Sequence, residues 1–77
     1  MDVELKLVDP SRNRHRHYSI IEARTLFGEP CLVIAWGRIG SPARVRTEVF
    51  ETHEDLAQRR AELLARRRRH GYVATAK

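Results

Sequence analysis

Alternation opens the chain. Val3, Leu5 and Leu7 are apolar while Glu4 and Lys6 are charged, the period-two pattern of a strand with one dry face and one wet one. Asp9-Pro10-Ser11 supplies turn chemistry and ends it. Residues 11–17 are polar and basic, Ser-Arg-Asn-Arg-His-Arg-His, and read as a loop leading into a second strand over 18–24. Phe27-Gly28-Glu29-Pro30 marks the next turn. An unbroken apolar run follows, Cys31-Leu-Val-Ile-Ala-Trp36, then Gly37 and Arg38, closed off by Gly40, Ser41 and Pro42. This is the pattern of a central strand that stops at a tight turn. Residues 43–50 alternate most cleanly, with Val45, Thr47 and Val49 on one face and Arg44, Arg46 and Glu48 on the other.

The period then changes. Thr52-His-Glu-Asp55 has the form of a capping box, with Asp55 in place of the usual Glu or Gln. Glu54 and Asp55 suit the positive end of a helix dipole. Leu56, Ala57, Ala61, Leu63 and Leu64 form an apolar stripe at helical spacing. Arg66 to Arg69 place cations at the other end, and Gly71 is positioned as the left-handed terminating residue. Tyr72 and Val73 would fold back as a docking segment or short edge strand, and residues 74–77 would fray.

Four strands joined by short turns favour antiparallel neighbours. One helix must bury its leucines on a single sheet face, which leaves the other face open. The expected architecture is therefore α+β and mainly β: an antiparallel sheet of four to five strands with one helix on one face, in a single domain spanning residues 1–77.

Composition narrows the function. With 77 residues the core is thin. No run of about 18 apolar residues is present, so no membrane span is expected. Met1-Asp-Val-Glu-Leu carries early acids instead of a signal core. The single cysteine, Cys31, lies in an apolar run and reads as a buried thiol in a reducing compartment. A cytoplasmic location follows as the expectation, with nucleoid association in view. The net charge is +5, and all of it lies after residue 30. Thirteen of the fifteen cations are arginine, which suits phosphate and planar polar recognition but also follows from a GC-rich genome.

The candidate chemistry centres on Trp36-Gly37-Arg38. A large aromatic, a residue without a side chain and a planar cation stand together at a strand end, a combination that suits stacking on a sugar or base while arginine reaches a phosphate. Trp36 is either that platform or the largest core residue. Gly37 permits close approach or, more simply, a bulge. Arg38 shares the face of Trp36 and reaches either a phosphate or an acid such as Glu48. Arg44 and Arg46 either extend a positive surface or form a solvated strand face. Arg14 and Arg16, with Arg12, flank Asn13 and are candidates for phosphate contact. Arg66 to Arg69 span a full turn and read as dipole complementarity. His15 and His17 lack the further ligands of a metal site, and no nucleophile, acid pair or phosphate loop points to catalysis. No cofactor, metal or enzymatic activity is expected.

With these residues in place, the chain resembles the WGR domain family. Trp36-Gly37-Arg38-Ile39-Gly40 is similar to its signature. Leu5-Lys-Leu-Val8 resembles the first strand, Asn13 and Tyr18 the second, Thr47 and Phe50 the strand after the signature, and His70-Gly71-Tyr72 the ending. The family includes domains of DNA-dependent poly(ADP-ribose) polymerases and small free-standing bacterial proteins. In the polymerases the domain binds near a DNA end; the signature tryptophan packs on the terminal nucleotide's sugar, and the arginine bridges to neighbouring domains. The resemblance thus implies those roles for Trp36 and Arg38, with no polymerase activity. Two regions depart from the pattern. Arg14-His-Arg-His-Tyr18 is more basic and less aromatic than usual, and Ser41-Pro42-Ala43-Arg44 replaces the usual loop after the signature. The expected partner is a nucleic acid, DNA before RNA, contacted by Trp36, Gly37, Arg38, Arg44, Arg46, Asn13, Arg14 and Arg16. The alternative is a protein-interaction adaptor whose exposed sheet face docks an acidic partner.

Overall fold

In the computed structural model, which describes residues 2–75, the alternating segments become strands that pair in sequence order. β1 (Val3–Asp9), β2 (Arg14–Arg24), β3 (Pro30–Arg38) and β4 (Arg44–Val49) precede a single helix, α1 (His53–Arg69), and a two-residue strand, β5 (Val73–Ala74). The sheet is antiparallel throughout, in the order β4-β3-β2-β1-β5. This is the expected mainly-β α+β architecture, with five strands.

The second strand begins four residues before the expected Tyr18. Pro10–Arg12 form a single 3-10 turn, closed by Asn13 in the left-handed region at φ 54°. Asn tolerates that conformation better than most residues. From Arg14 onward the chain runs back along β1, pairing Asp9 with Arg14, Leu7 with Arg16 and Leu5 with Tyr18. Side-chain polarity in Arg14–His17 suggested a loop, but the ladder is made by backbone groups that are indifferent to it. The helix is capped as expected. The Thr52 hydroxyl accepts from the Asp55 N–H at 3.1 Å. At the other end the Tyr72 N–H donates to the Arg67 carbonyl and the Gly71 N–H to that of Arg68, both at 3.1 Å, with Gly71 at φ 97°. That is the Schellman pattern. The reversal brings Tyr72 into the core and adds β5 beside β1. Fraying was expected from residue 74, but Ala74 is in β5 and the Thr75 N–H donates to the Glu4 carbonyl at 2.9 Å; Ala76 and Lys77 lie outside the described residues.

The core is one cluster between the sheet and α1: Leu5, Tyr18, Ile20, Leu32, Ile34, Leu56, Leu63 and Tyr72. Only part of the expected helix stripe enters it. Leu56 and Leu63 are buried and Leu64 half-buried, whereas Ala57 and Ala61 face solvent. The inner face of α1 is completed by half-buried Arg59, Arg60 and Arg67. Arg59 reaches Glu48 of β4, Arg67 lies against the Tyr18 ring, and the Nε atoms of Arg60 and Arg67 are buried.

Arg59 shows how this works. Its Nε and Nη2 donate to the two carboxylate oxygens of Glu48 at 2.9 and 3.2 Å, and Arg46 Nη2 lies 2.9 Å from Glu48 Oε2. One carboxylate thus ties α1 to β4. The Arg59 hydrogen bond holds the Glu48 carboxyl below its ordinary value of 4.5; burial opposes this, and the charges of Arg59 and Arg46 reinforce it. The unfolded chain titrates at the ordinary value, so the stabilisation is complete above it and is lost as pH falls through the lower folded value. Thermal melts recorded from about pH 5 to pH 3 should therefore show a steeper drop in Tm for the parent than for Glu48→Gln, whose dependence on pH lacks this component. Equal slopes would remove Glu48 from the account.

Candidate nucleic-acid interface

Strand register decides which side chains share a face. On the helix-bearing face Tyr18 stands opposite Trp36, which stands opposite Arg44. One step towards the helix-covered centre, Ile20 stands opposite Ile34 and Ile34 opposite Arg46. One step the other way, Leu7, Arg16 and Arg38 form a row, and beyond it Asp9 stands opposite Arg14. Trp36 therefore lies on the same face as the helix leucines and as the arginines. Core packing and exposure at Trp36 are therefore compatible, because α1 covers only the middle of this face. Trp36 packs its inner part against the core and remains half-buried. The Arg46 guanidinium stands 5.7 Å from its ring centroid.

The other face is different. Val45, Thr47 and Val49 point there and are exposed, beside Val33, Ala35 and Ile21. The cleanest apolar alternation in the chain thus faces solvent, and its charged partners face the helix. On the helix-bearing face Glu48 meets Arg59 of α1, and Phe50 packs against the core.

Arg38 does not pair with Glu48. Its Nη1 and Nη2 donate to the Asn13 carbonyl and to Asn13 Oδ1, each at 3.3 Å. This links the end of β3 to the left-handed corner before β2 and holds the guanidinium at that corner. Gly37 has φ 153°, a region that L side chains rarely adopt. A Cβ there would meet Ala43, Pro42 and His17 only at ordinary contact distance, so backbone conformation, not crowding, explains the glycine. The side chains of Arg14, Arg16 and Arg44 form no ion pair or hydrogen bond with the described residues. Arg12 is turned to Asp9 at 3.8 Å and stands apart from this group.

Arg67 was hidden in the run Arg66 to Arg69. Its guanidinium lies 4.2 Å from the Tyr18 ring centroid and 5.7 Å from that of Tyr72. The two rings meet edge-on, 6.4 Å apart at 68°. Arg67 Nε is buried without a hydrogen-bond partner. With Leu7, Arg14, Arg16, His70 and Tyr72 it lines a cavity of 230 Å³ that has no carboxylate in its wall. Three guanidiniums around one opening, one of them held by two aromatic rings, make a cradle for an anion. The sequence carried the signal: Arg67 lies four residues after Leu63, on the stripe of Leu56 and Leu63.

His15 and His17 are on the open face, opposite Val8 and Lys6. No group of three or more His, Cys, Asp or Glu side chains able to hold a metal is found among the described residues. Cys31 is buried. No helix among the described residues is long and apolar enough to cross a membrane.

A sheet capped by one helix, with an inner strand ending in Trp-Gly-Arg at the edge of an arginine-rich surface, is the framework of a small binding module. The chain belongs to the WGR family, whose domain matches it over residues 1–77. Within the poly(ADP-ribose) polymerases that carry them, WGR domains are nucleic-acid-binding modules. The chain is also similar to an uncharacterized protein, y4dW, of Sinorhizobium fredii, with 38% identity over 65 residues. The match covers 84% of this chain and 32% of that protein, so the chain spans about a third of its relative. No solved structure matches it significantly.

Proposed function

We propose that this chain is a non-enzymatic nucleic-acid-binding module that takes DNA ends or nicks on the helix-bearing face. The observation that supports this best is Trp36: a half-buried ring packed on the core, with the Arg46 guanidinium 5.7 Å from its centroid and Arg44 opposite it in register. Trp36 stacks on a terminal sugar or base. Arg38, fixed by Asn13, and Arg44 take flanking phosphates, while Arg14, Arg16 and Arg67 take another in their cleft. Such contacts carry little sequence information, so binding is expected to be sequence-tolerant and salt-sensitive.

Titration of labelled blunt and nicked duplexes at several salt concentrations tests this. Each neutralised phosphate adds about −0.9 to the log–log salt slope on B-DNA, and roughly three to five contacts give a slope of about −2.7 to −4.5. A flat salt response, or no binding at low salt, would refute it. The adaptor reading uses the same surface, because the arginines of β4 are not on the open face. Capture of one acidic protein without any affinity for nucleic acid would favour it instead.

A further inference from the structure

The sheet has an unprotected side. β4 pairs with β3 along one edge and, among the described residues, with no strand along the other. A free edge of six residues is a template for another strand. Charged side chains commonly block such edges, and β4 carries Arg44, Arg46 and Glu48. Charge blocks pairing only when like meets like.

We propose that β4 pairs with β4 of a second copy, antiparallel and two-fold symmetric about Thr47, joining two sheets into one of ten strands. In a continuous sheet, residues directly opposite one another share a face. Centring the two-fold on Arg46 sets two arginines opposite each other; centring it on Glu48 opposes two carboxylates; centring it on Val45 sets Arg44 against the partner's Arg46. Centring it on Thr47 opposes Arg46 and the partner's Glu48 twice over, on the helix-bearing face. On the open face it sets Val45 against the partner's Val49, again twice, with the two threonines between. Val45 and Val49 are 62% and 50% exposed in the single chain, so each gains an apolar neighbour. Among the two-fold registers that pair most of β4, this one brings no like charges together.

Each Glu48 already gathers Arg59 and Arg46 of its own chain. A carboxylate offers about four acceptor positions, which leaves room for the partner's Arg46. A seam of one short strand buries less than the roughly 800 Å² per partner of a firm complex, so the dimer forms in the micromolar range or above. It places both Trp36 residues on the same face, about 25 Å apart, three strand spacings across and six residues along. The dimer does not depend on the nucleic-acid reading, and its failure would leave that reading standing.

Cysteine cross-linking reads the register directly. Thr47→Cys is expected to form a disulfide-linked dimer under mild oxidation, because residue 47 meets itself. Val49→Cys alone is not, because it meets Val45; Val45→Cys with Val49→Cys together is. Sedimentation of the parent protein should show reversible dimers at high micromolar concentration. Thr47→Arg, an exposed change that opposes two cations, should raise the dissociation constant at least about tenfold with an unchanged circular dichroism spectrum. A parent that sediments as a monomer into the millimolar range, or equal cross-linking by Thr47→Cys and Val49→Cys, would overturn the proposal.

Discussion

Replacing Trp36 with alanine should weaken binding to a blunt duplex by roughly ten- to a hundredfold, the range set by loss of one stacked base or sugar. The ring is partly exposed, so part of it is available to a ligand. It is also packed on the core beside Tyr18, so the substitution costs some stability too. Two controls separate these effects. Trp36→Phe keeps a stacking face and should retain most of the affinity. Arg38→Ala leaves the core intact and should still weaken binding and flatten the salt slope by about one phosphate. Fluorescence anisotropy with labelled duplex, paired with a thermal melt of each variant, makes the measurement. If Trp36→Ala folds and binds like the parent, stacking is not the mechanism.

Leu56→Ala is expected to cost about 3 kcal/mol, within the range seen when a fully enclosed leucine is truncated. Leu56 has no exposed surface and anchors the first turn of α1 on the sheet. A domain of this size has only about 4–11 kcal/mol to lose, and its Tm should fall by more than about 12 °C. Ala61→Ser provides the contrast. Ala61 lies on the helix stripe that the sequence pattern marked as apolar, yet it is exposed, and the change should stay within about 0.5 kcal/mol. Chemical denaturation of the two variants distinguishes the observed inner face of α1 from the one that simple apolar spacing selects.

That contrast also shows what was legible in the chain. Strand existence, the helix caps and the glycine reversal after Arg69 follow from local chemistry, because alternation, capping hydroxyls and a left-handed glycine act over a few residues. Sidedness does not. Arg44, Arg46 and Glu48 look like a solvent face until Arg59, eleven residues after Glu48, comes down from α1 to bind it. Val45, Thr47 and Val49 are then turned outward. The basic stretch from Arg14 to His17 reads as a loop for a similar reason: its ladder partners in β1 are backbone groups that leave no mark on its own side chains. Arg67 was concealed by its neighbours, since a run of four arginines masks the one that the helical period turns inward between Tyr18 and Tyr72.

For the candidate site, the pattern linked Trp36 with Arg38 by parity, and the register places them on one face. It did not supply Asn13 as the partner of Arg38. That bond depends on the left-handed corner after the 3-10 turn, which carries the Asn13 carbonyl and side chain back towards the end of β3. Nor did it supply the cleft behind Arg16, which needs the helix terminus to fold over β1 and β2.

Trp36 is the chain's only tryptophan, so its emission reports on the site without a label. Addition of an unlabelled blunt or nicked duplex at low salt should quench and shift that emission with a saturable profile, and raising the salt should reverse the change. Bases stacked on the indole are the expected cause. Saturable duplex binding that leaves the emission of Trp36 untouched would contradict the claim that this ring meets the nucleic acid.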